Sequence, residues 1–146
     1  MTEDELAKAS AEAMWANDKA SKTLGIIIKE VGPGSARLSM TVREDMLNGQ
    51  GMAHGGLMFT LADSAFAFAC NSYNQKTVAQ HCAVTFLAPG HEGDVLTAHA
   101  VERQRAGRSG IYDVTITNQN GATIAEFRGH SRTVKGLHRP DLDVTV

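Results

Sequence analysis

Between His54 and Cys70 the chain reads HGGLMFTLADSAFAFAC, a stretch apolar on every side whose one interior ionisable group is Asp63. A helix that is hydrophobic all round belongs inside a fold rather than on its surface, so the rest of the chain must wrap this segment. Asp63 complicates that burial. A carboxylate in a core costs several kcal/mol unless a partner offsets it or a chemical task accounts for it.

The wrapping material is legible on both sides of the run. Residues 4–17 are rich in Ala, Glu and Leu with acidic residues in the first turn, which predicts a helix. Residues 25–31 are β-branched, Gly32-Pro33-Gly34 breaks them, and residues 37–43 alternate with Leu38, Met40 and Val42 on one face. These two segments predict a hairpin. A glycine-rich connection, residues 48–56, leads into the central helix, which should fade near Asn71 to Asn74. Four strand-like runs follow, at 78–87, 94–105, 110–117 and 122–134, separated by turn chemistry that includes Asn120-Gly121. In the third run Tyr112, Val114 and Ile116 point one way. Residues 137–146 read as a frayed tail, with Pro140 arguing against continued strand.

The order of elements gives an α+β fold: an antiparallel sheet wrapped around one long buried helix, with an N-terminal helix. The expected organisation is one domain over residues 1–146. It comprises a helical segment at 1–23, a core at 24–136 and a tail at 137–146. One helix and a sheet of this size leave an open edge or groove, which predicts self-association.

Composition excludes several function classes. A net charge of −2 supplies no basic field for nucleic acid or an anionic membrane. Met1-Thr2-Glu3-Asp4-Glu5 leads into no apolar leader, and no run approaches the length of a membrane span, so neither a secretory signal nor a membrane helix is expected. Cys70 and Cys82 make no C-x-x-C pair and no disulfide framework, which points to a reducing cytoplasm. His81, His91, His99, His130 and His138 offer no H-x-x-x-H or similar spacing, so no metal and no cofactor is expected. Cys82 and His81 are strand neighbours facing opposite sides and cannot act as a pair. Residues 49–54 miss G-x-G-x-x-G by ending in His54 and follow no βαβ pattern.

Chemistry converges at the start of the central helix. Backbone N–H groups there lack intrahelical partners, and the helix dipole adds partial positive charge. Gly55 and Gly56 carry no side chains, so an oxygen can approach those amides as an oxyanion would. Asp63 lies eight residues after Gly55, roughly two turns on and about 80° round the axis. It cannot reach an oxygen held at Gly55 within its own helix unless a groove or a neighbouring subunit completes the site. Asn48 and His54 sit in the preceding loop, offering an amide and an imidazole. The bland readings stay open: Asp63 paired with a sheet arginine, Gly55-Gly56 as a tight turn, His54 as a helix cap.

Asn48, the His54-Gly55-Gly56 triplet and Leu61-Ala62-Asp63 together resemble the phenylacetate-degradation (PaaI-type) group of hotdog-fold acyl-CoA thioesterases. The Asn-to-Asp interval of fifteen and the Gly-to-Asp interval of eight both match that family's pattern. Val84-Thr85-Phe86-Leu87-Ala88-Pro89-Gly90, Gly107-Arg108 through Val114, and Phe127-Arg128-Gly129 are also similar, so the resemblance spans roughly residues 24–135. It implies the hotdog fold and hydrolysis of phenylacetyl-CoA, hydroxyphenylacetyl-CoA or a similar aryl or medium-chain acyl-CoA. It also implies homodimers that pair into a homotetramer, with the site at the dimer interface. In the implied site Gly55 N–H polarises the thioester carbonyl and Asp63 of the opposing subunit is nucleophile or general base. Asn48 and His54 orient the carbonyl or the lytic water, and Gly56 adjoins the substrate.

Arg108-Ser109-Gly110 makes a basic turn suited to the phosphates of coenzyme A. Arg103 and Arg105 are read as sharing one strand face, while Arg128 and Arg132 are weaker candidates. Two rivals remain, a hotdog acyl-thioester dehydratase or hydratase and a non-catalytic acyl-CoA-binding protein. Asp63 counts against the second, which needs no carboxylate beside the thioester.

Overall fold

Thr2 opens the first helix, its hydroxyl accepting the Glu5 N–H at 3.1 Å while its own N–H donates to the Glu5 carboxylate at 3.2 Å. In the computed structural model, which describes residues 1–143, that reciprocal cap starts α1, Glu3–Trp15. Asp18 then caps a short helix, α2, Lys19–Thr23, by accepting the Ser21 N–H at 2.9 Å. Its five residues are too few to show helical periodicity, which is why the sequence reading passes over it.

The hairpin follows as β1, Ile27–Gly32, and β2, Ser35–Thr41. A single 3₁₀ turn at Glu44–Met46 precedes the central helix, α3, Gly55–Cys70. The remaining strands are β3, Gln75–Phe86; β4, Val95–Ala106; β5, Ser109–Thr117; and β6, Thr123–Leu137. All pair antiparallel in one six-stranded sheet of order β1-β2-β4-β5-β6-β3, so β1 and β3 are the two edges.

The sheet packs one face on α3. Leu38, Met40 and Val42 from the β2 side, Ala98 and Ala100 from β4, and Tyr112, Val114 and Ile116 from β5 are all buried against Leu61, Ala65, Phe66 and Phe68. Gly129 on β6 shows how close that approach is, since a Cβ there would sit 2.7 Å from the Phe66 ring. Ser21 and Ser64 hydroxyls, 2.9 Å apart, tie α2 to α3.

Three expectations need correction. The helix read as buried on every side is not covered all round by its own chain. Gly56 is exposed, and Thr60, Asp63 and Ala67 are only half-buried, a stripe at helical spacing along one flank. The tail is not frayed as far as the described residues go. Asn74 accepts the Arg139 N–H at 2.8 Å and donates to the carbonyls of Arg139 at 2.9 Å and Leu142 at 3.1 Å. Residues 144–146 lie outside the described part. Finally, a bulge between Glu102 and Gln104 separates Arg103 from Arg105. Arg103 meets Asp113 on the outer face, whereas Arg105 lies over the Tyr73 ring and pairs with Glu102.

Candidate active site

His54 is the N-cap of α3. Its Nδ1 accepts the Gly56 N–H at 3.0 Å, and its carbonyl accepts the N–H groups of Leu57 at 3.0 Å and Met58 at 3.2 Å. A nitrogen that accepts carries no proton, so His54 is held with its proton on Nε2. These bonds take up every amide of the first turn except one. Among the described residues Gly55 N–H has no acceptor, and it stands at the positive end of the helix dipole. Gly56, expected to offer a second approachable amide, has its N–H occupied by the cap.

The Phe86 ring at the end of β3 lies against Gly55, where a Cβ would come within 3.0 Å of it. A side chain at Gly55 would press on the Phe86 ring, which would have to move aside to admit it. Sequence reading missed Phe86 as a wall of this site. The signal was present in the alternation Cys82, Val84, Phe86, which places all three on the helix side of β3.

Asn48 and Gly55 line one cleft of about 400 Å³ with Met52, Phe86, Leu87 and Pro89. Asn48 Oδ1 accepts the N–H groups of Gln50 at 2.8 Å and Met52 at 3.2 Å. Two donors on one end of the amide fix its orientation, and Nδ2 is left to donate. Asn48 is thus a hydrogen-bond donor lining the same cleft as the free Gly55 amide.

Asp63 lies elsewhere. It lines a second cleft of about 390 Å³ with Met14, Phe66, Cys70, Val78 and Val134, apolar but for Lys76, Asn71, His138 and Thr77. No cation and no hydrogen-bond donor meets the carboxylate among the described residues, and burial alone pushes its carboxyl above the usual aspartate range. The sheet-arginine pairing left open by the sequence is absent there. Burial and the Asp63 charge push the nearby Cys70 thiol up to about 12 and raise Cys82 in the same direction, so neither favours the thiolate.

Arg108 is an exposed residue of the β4–β5 turn, whose carbonyl accepts the Thr133 N–H at 2.7 Å, and its guanidinium has no partner among the described residues. Ser109 begins β5 beside it, exposed. Gly110 is not a turn residue. It is buried in β5 opposite Ser131, and a Cβ there would sit 2.7 Å from the Ser131 hydroxyl. The structure therefore brings Asn48, His54 and Gly55 together and sets Asp63 apart from them, with Arg108 at the turn that meets β6.

Comparison with known proteins gives a consistent picture. Residues 50–125 match the model of the thioesterase superfamily. Acyl-coenzyme A thioesterase PaaI of Escherichia coli K12 is 47% identical over 127 residues, 87% of this chain and 91% of its own length. The solved structure of the E. coli PaaI protein from the phenylacetic acid degradation operon superposes with a TM-score of 0.92 at 45% identity, over 93% of this chain and 99% of that one. A mutant of the phenylacetic acid degradation protein PaaI from Thermus thermophilus gives a TM-score of 0.77 at 34% identity, over 80% and 100% respectively. No helix among the described residues is long and apolar enough to cross a membrane.

Proposed function

The chain belongs to the thioesterase superfamily and hydrolyses acyl-CoA thioesters, and from that premise we propose that its site forms between two copies and takes aryl-acetyl groups. The observation that carries the reading is the separation of an unclaimed helix-start amide, Gly55 N–H, from an unpaired half-buried carboxylate, Asp63, in different clefts of one chain.

The edge strand β3 supplies the means of joining them. It runs twelve residues, pairs with β6 alone among the described residues, and leaves Val78, Phe86 and the following Leu87 exposed. A long edge strand with exposed apolar side chains invites another strand. Antiparallel pairing of β3 with a second copy about mid-strand sets the Phe86 end, with Gly55 and Asn48, against the Gln75 end of the partner. The cleft at that end contains Asp63. One such contact completes two sites by symmetry.

In the joined site Gly55 N–H and Asn48 Nδ2 donate to the thioester carbonyl oxygen, whose charge grows as the tetrahedral intermediate forms. Asp63 of the opposing copy either attacks the carbonyl carbon or takes a proton from the attacking water. On the general-base route the carbon–sulfur bond breaks, Asp63 passes the proton taken from water to the departing sulfur, and acid and coenzyme A thiol leave. On the nucleophilic route the same cleavage leaves an acyl–Asp63 anhydride, the thiolate takes its proton from solvent, and a water then hydrolyses the anhydride to the acid. His54 fixes the helix start rather than moving protons through Nδ1. The apolar Asp63 cleft, walled by Phe66, Val78 and Val134, suits an aryl group, and the exposed Arg108 suits a phosphate of the nucleotide. Free Cys70 and Cys82 suit a cytoplasmic protein.

Thiol release from a panel of acyl-CoAs tests the reading. Turnover should be fastest with phenylacetyl-CoA and its ring-hydroxylated forms. Fastest turnover on short straight-chain acyl-CoAs sinks the aryl assignment. Hydration of an enoyl-CoA without thiol release favours the dehydratase chemistry instead.

A further inference from the structure

The Asp63 cleft has a second polar end. Asp63 and Asn71 stand eight residues apart on α3, about 12 Å of helix rise, and both line the cleft. Between them the wall is apolar, with Phe66, Ala67 and Cys70 on the same helix, and Thr77 and His138 meet Asn71 at the far end.

Asn71 is buried and its amide is fully engaged. Nδ2 donates to the carbonyls of Ala67 at 2.8 Å and Thr77 at 3.0 Å, and Oδ1 accepts the Thr77 N–H at 2.8 Å. Those three bonds fix which end of the amide is oxygen. His138 Nε2 lies 2.7 Å from that oxygen and is therefore the donor. The proton sits on Nε2, and Nδ1 carries a bare lone pair. Nothing donates to Nδ1 among the described residues, and no buried side-chain nitrogen or oxygen among them lacks a hydrogen bond, so Nδ1 is open rather than sealed. Burial and the charge of Lys76 hold the imidazole below the usual histidine range, which keeps Nδ1 an acceptor at neutral pH. The backbone fixes the ring from behind, since His138 N–H donates to the Asn74 carbonyl at 3.1 Å. The Thr77 hydroxyl is turned to the Gln75 carbonyl at 3.0 Å. At this end of the cleft, His138 Nδ1 and the Lys76 ammonium are left for a ligand.

We propose that His138 determines specificity for the acyl group, its Nδ1 accepting a hydrogen bond from a hydroxyl at the para position of an aryl-acetyl ring. A bare ring nitrogen favours a donor and repels a carboxylate. A hydroxyl can donate to it and still accept from Lys76. The reach is right as well: the acyl group covers roughly half of the length between Asp63 and Asn71, and contacts of about 3 Å at each end cover the rest. The inference rests on the placement of the aryl group in the Asp63 cleft proposed above, and the test separates the two.

Thiol release is measured with phenylacetyl-CoA and its para-hydroxy and para-fluoro forms, fluorine having about the size of a hydroxyl but no proton to donate. The para-hydroxy substrate should be favoured over the other two by about 3–10-fold in kcat/KM, mostly through KM, as expected for one hydrogen bond made alike in ground and transition states. In His138→Phe the ratio of para-hydroxy to para-fluoro should fall to one or below. His138→Leu should do the same where a phenyl ring is not accommodated. Asn71 Oδ1 keeps the Thr77 N–H in both variants, so neither leaves it without a donor. A parent enzyme that does not distinguish hydroxyl from fluorine overturns the proposal, as does a folded variant that keeps the preference. Aryl substrates that lose to short straight-chain acyl-CoAs overturn the placement of the ring and the proposal with it. Aryl preference that is blind to the hydroxyl overturns the assignment of His138 alone.

Discussion

Asp63 keeps its unpaired carboxylate on a helix flank where burial disfavours the ionised form, and that has opposite consequences for stability and rate. The raised pKa means the native state holds the proton longer than the unfolded chain does. Stability is therefore lost as pH rises from the ordinary aspartate range through the raised value. Activity runs the other way, because only the ionised carboxylate attacks or accepts a proton. The acid limb of kcat/KM should sit above the usual aspartate range. Asp63→Asn should abolish that limb and cut kcat by about 10²–10⁴-fold while raising Tm at neutral pH. Near wild-type turnover in this variant would remove Asp63 from the chemistry. Asn48 allows a finer test. Asn48→Asp keeps an oxygen to accept the Gln50 and Met52 N–H groups but has no Nδ2 to donate. The loop should hold while kcat falls by about 10²-fold or more, the usual cost of one lost oxyanion donor. An unchanged kcat would make Asn48 a loop residue only. These residues were legible in the sequence because their spacing along one segment carries the pattern. Which amides remain free was not, because that depends on where the His54 imidazole turns.

At the scale of elements, the strands and the central helix follow from alternation and apolar content, and Leu38, Met40, Val42, Tyr112, Val114 and Ile116 are buried as their parity requires. What failed to show is whatever depends on a neighbour distant in sequence. The bulge that parts Arg103 from Arg105 exists only in relation to β5, and the Asn74 bonds that hold residues 139–143 need the chain to return to the end of α3. Gly129 is of this kind as well: nothing local demands a glycine in β6, yet Phe66 fills the space a side chain would need. Gly129→Ala should overpack that contact and cost about 1–3 kcal/mol in a urea unfolding series. Phe66→Leu in the same background should recover part of the loss. A Gly129→Ala protein as stable as the parent would mean the helix and sheet are not in the close contact described.

For the whole molecule the decisive question is whether one site draws on two chains, and the helix start offers a clean way to ask it. Gly55 is the first residue of α3, where proline is tolerated. The preceding His54, at φ −64° and ψ 128°, already has the extended backbone that a following proline imposes. Gly55 N–H has no acceptor among the described residues, so Gly55→Pro removes the proposed oxyanion donor without breaking a described hydrogen bond. A Cβ at Gly55 meets the ring of Phe86, an exposed side chain at a strand end with room to move. Circular dichroism should therefore be unchanged while kcat falls by at least about 10²–10³-fold. Asp63→Asn and Gly55→Pro are then each inactive alone. If they are unfolded and refolded together, half the pairs are mixed. Each mixed pair has one site in which an intact Gly55 from one copy faces an intact Asp63 from the other, so about a quarter of parental activity should return. Asn48→Asp can replace Gly55→Pro in the mixture and should give the same recovery. A site contained within one chain gives a different result, since every chain in the mixture is then defective and no activity returns at any ratio.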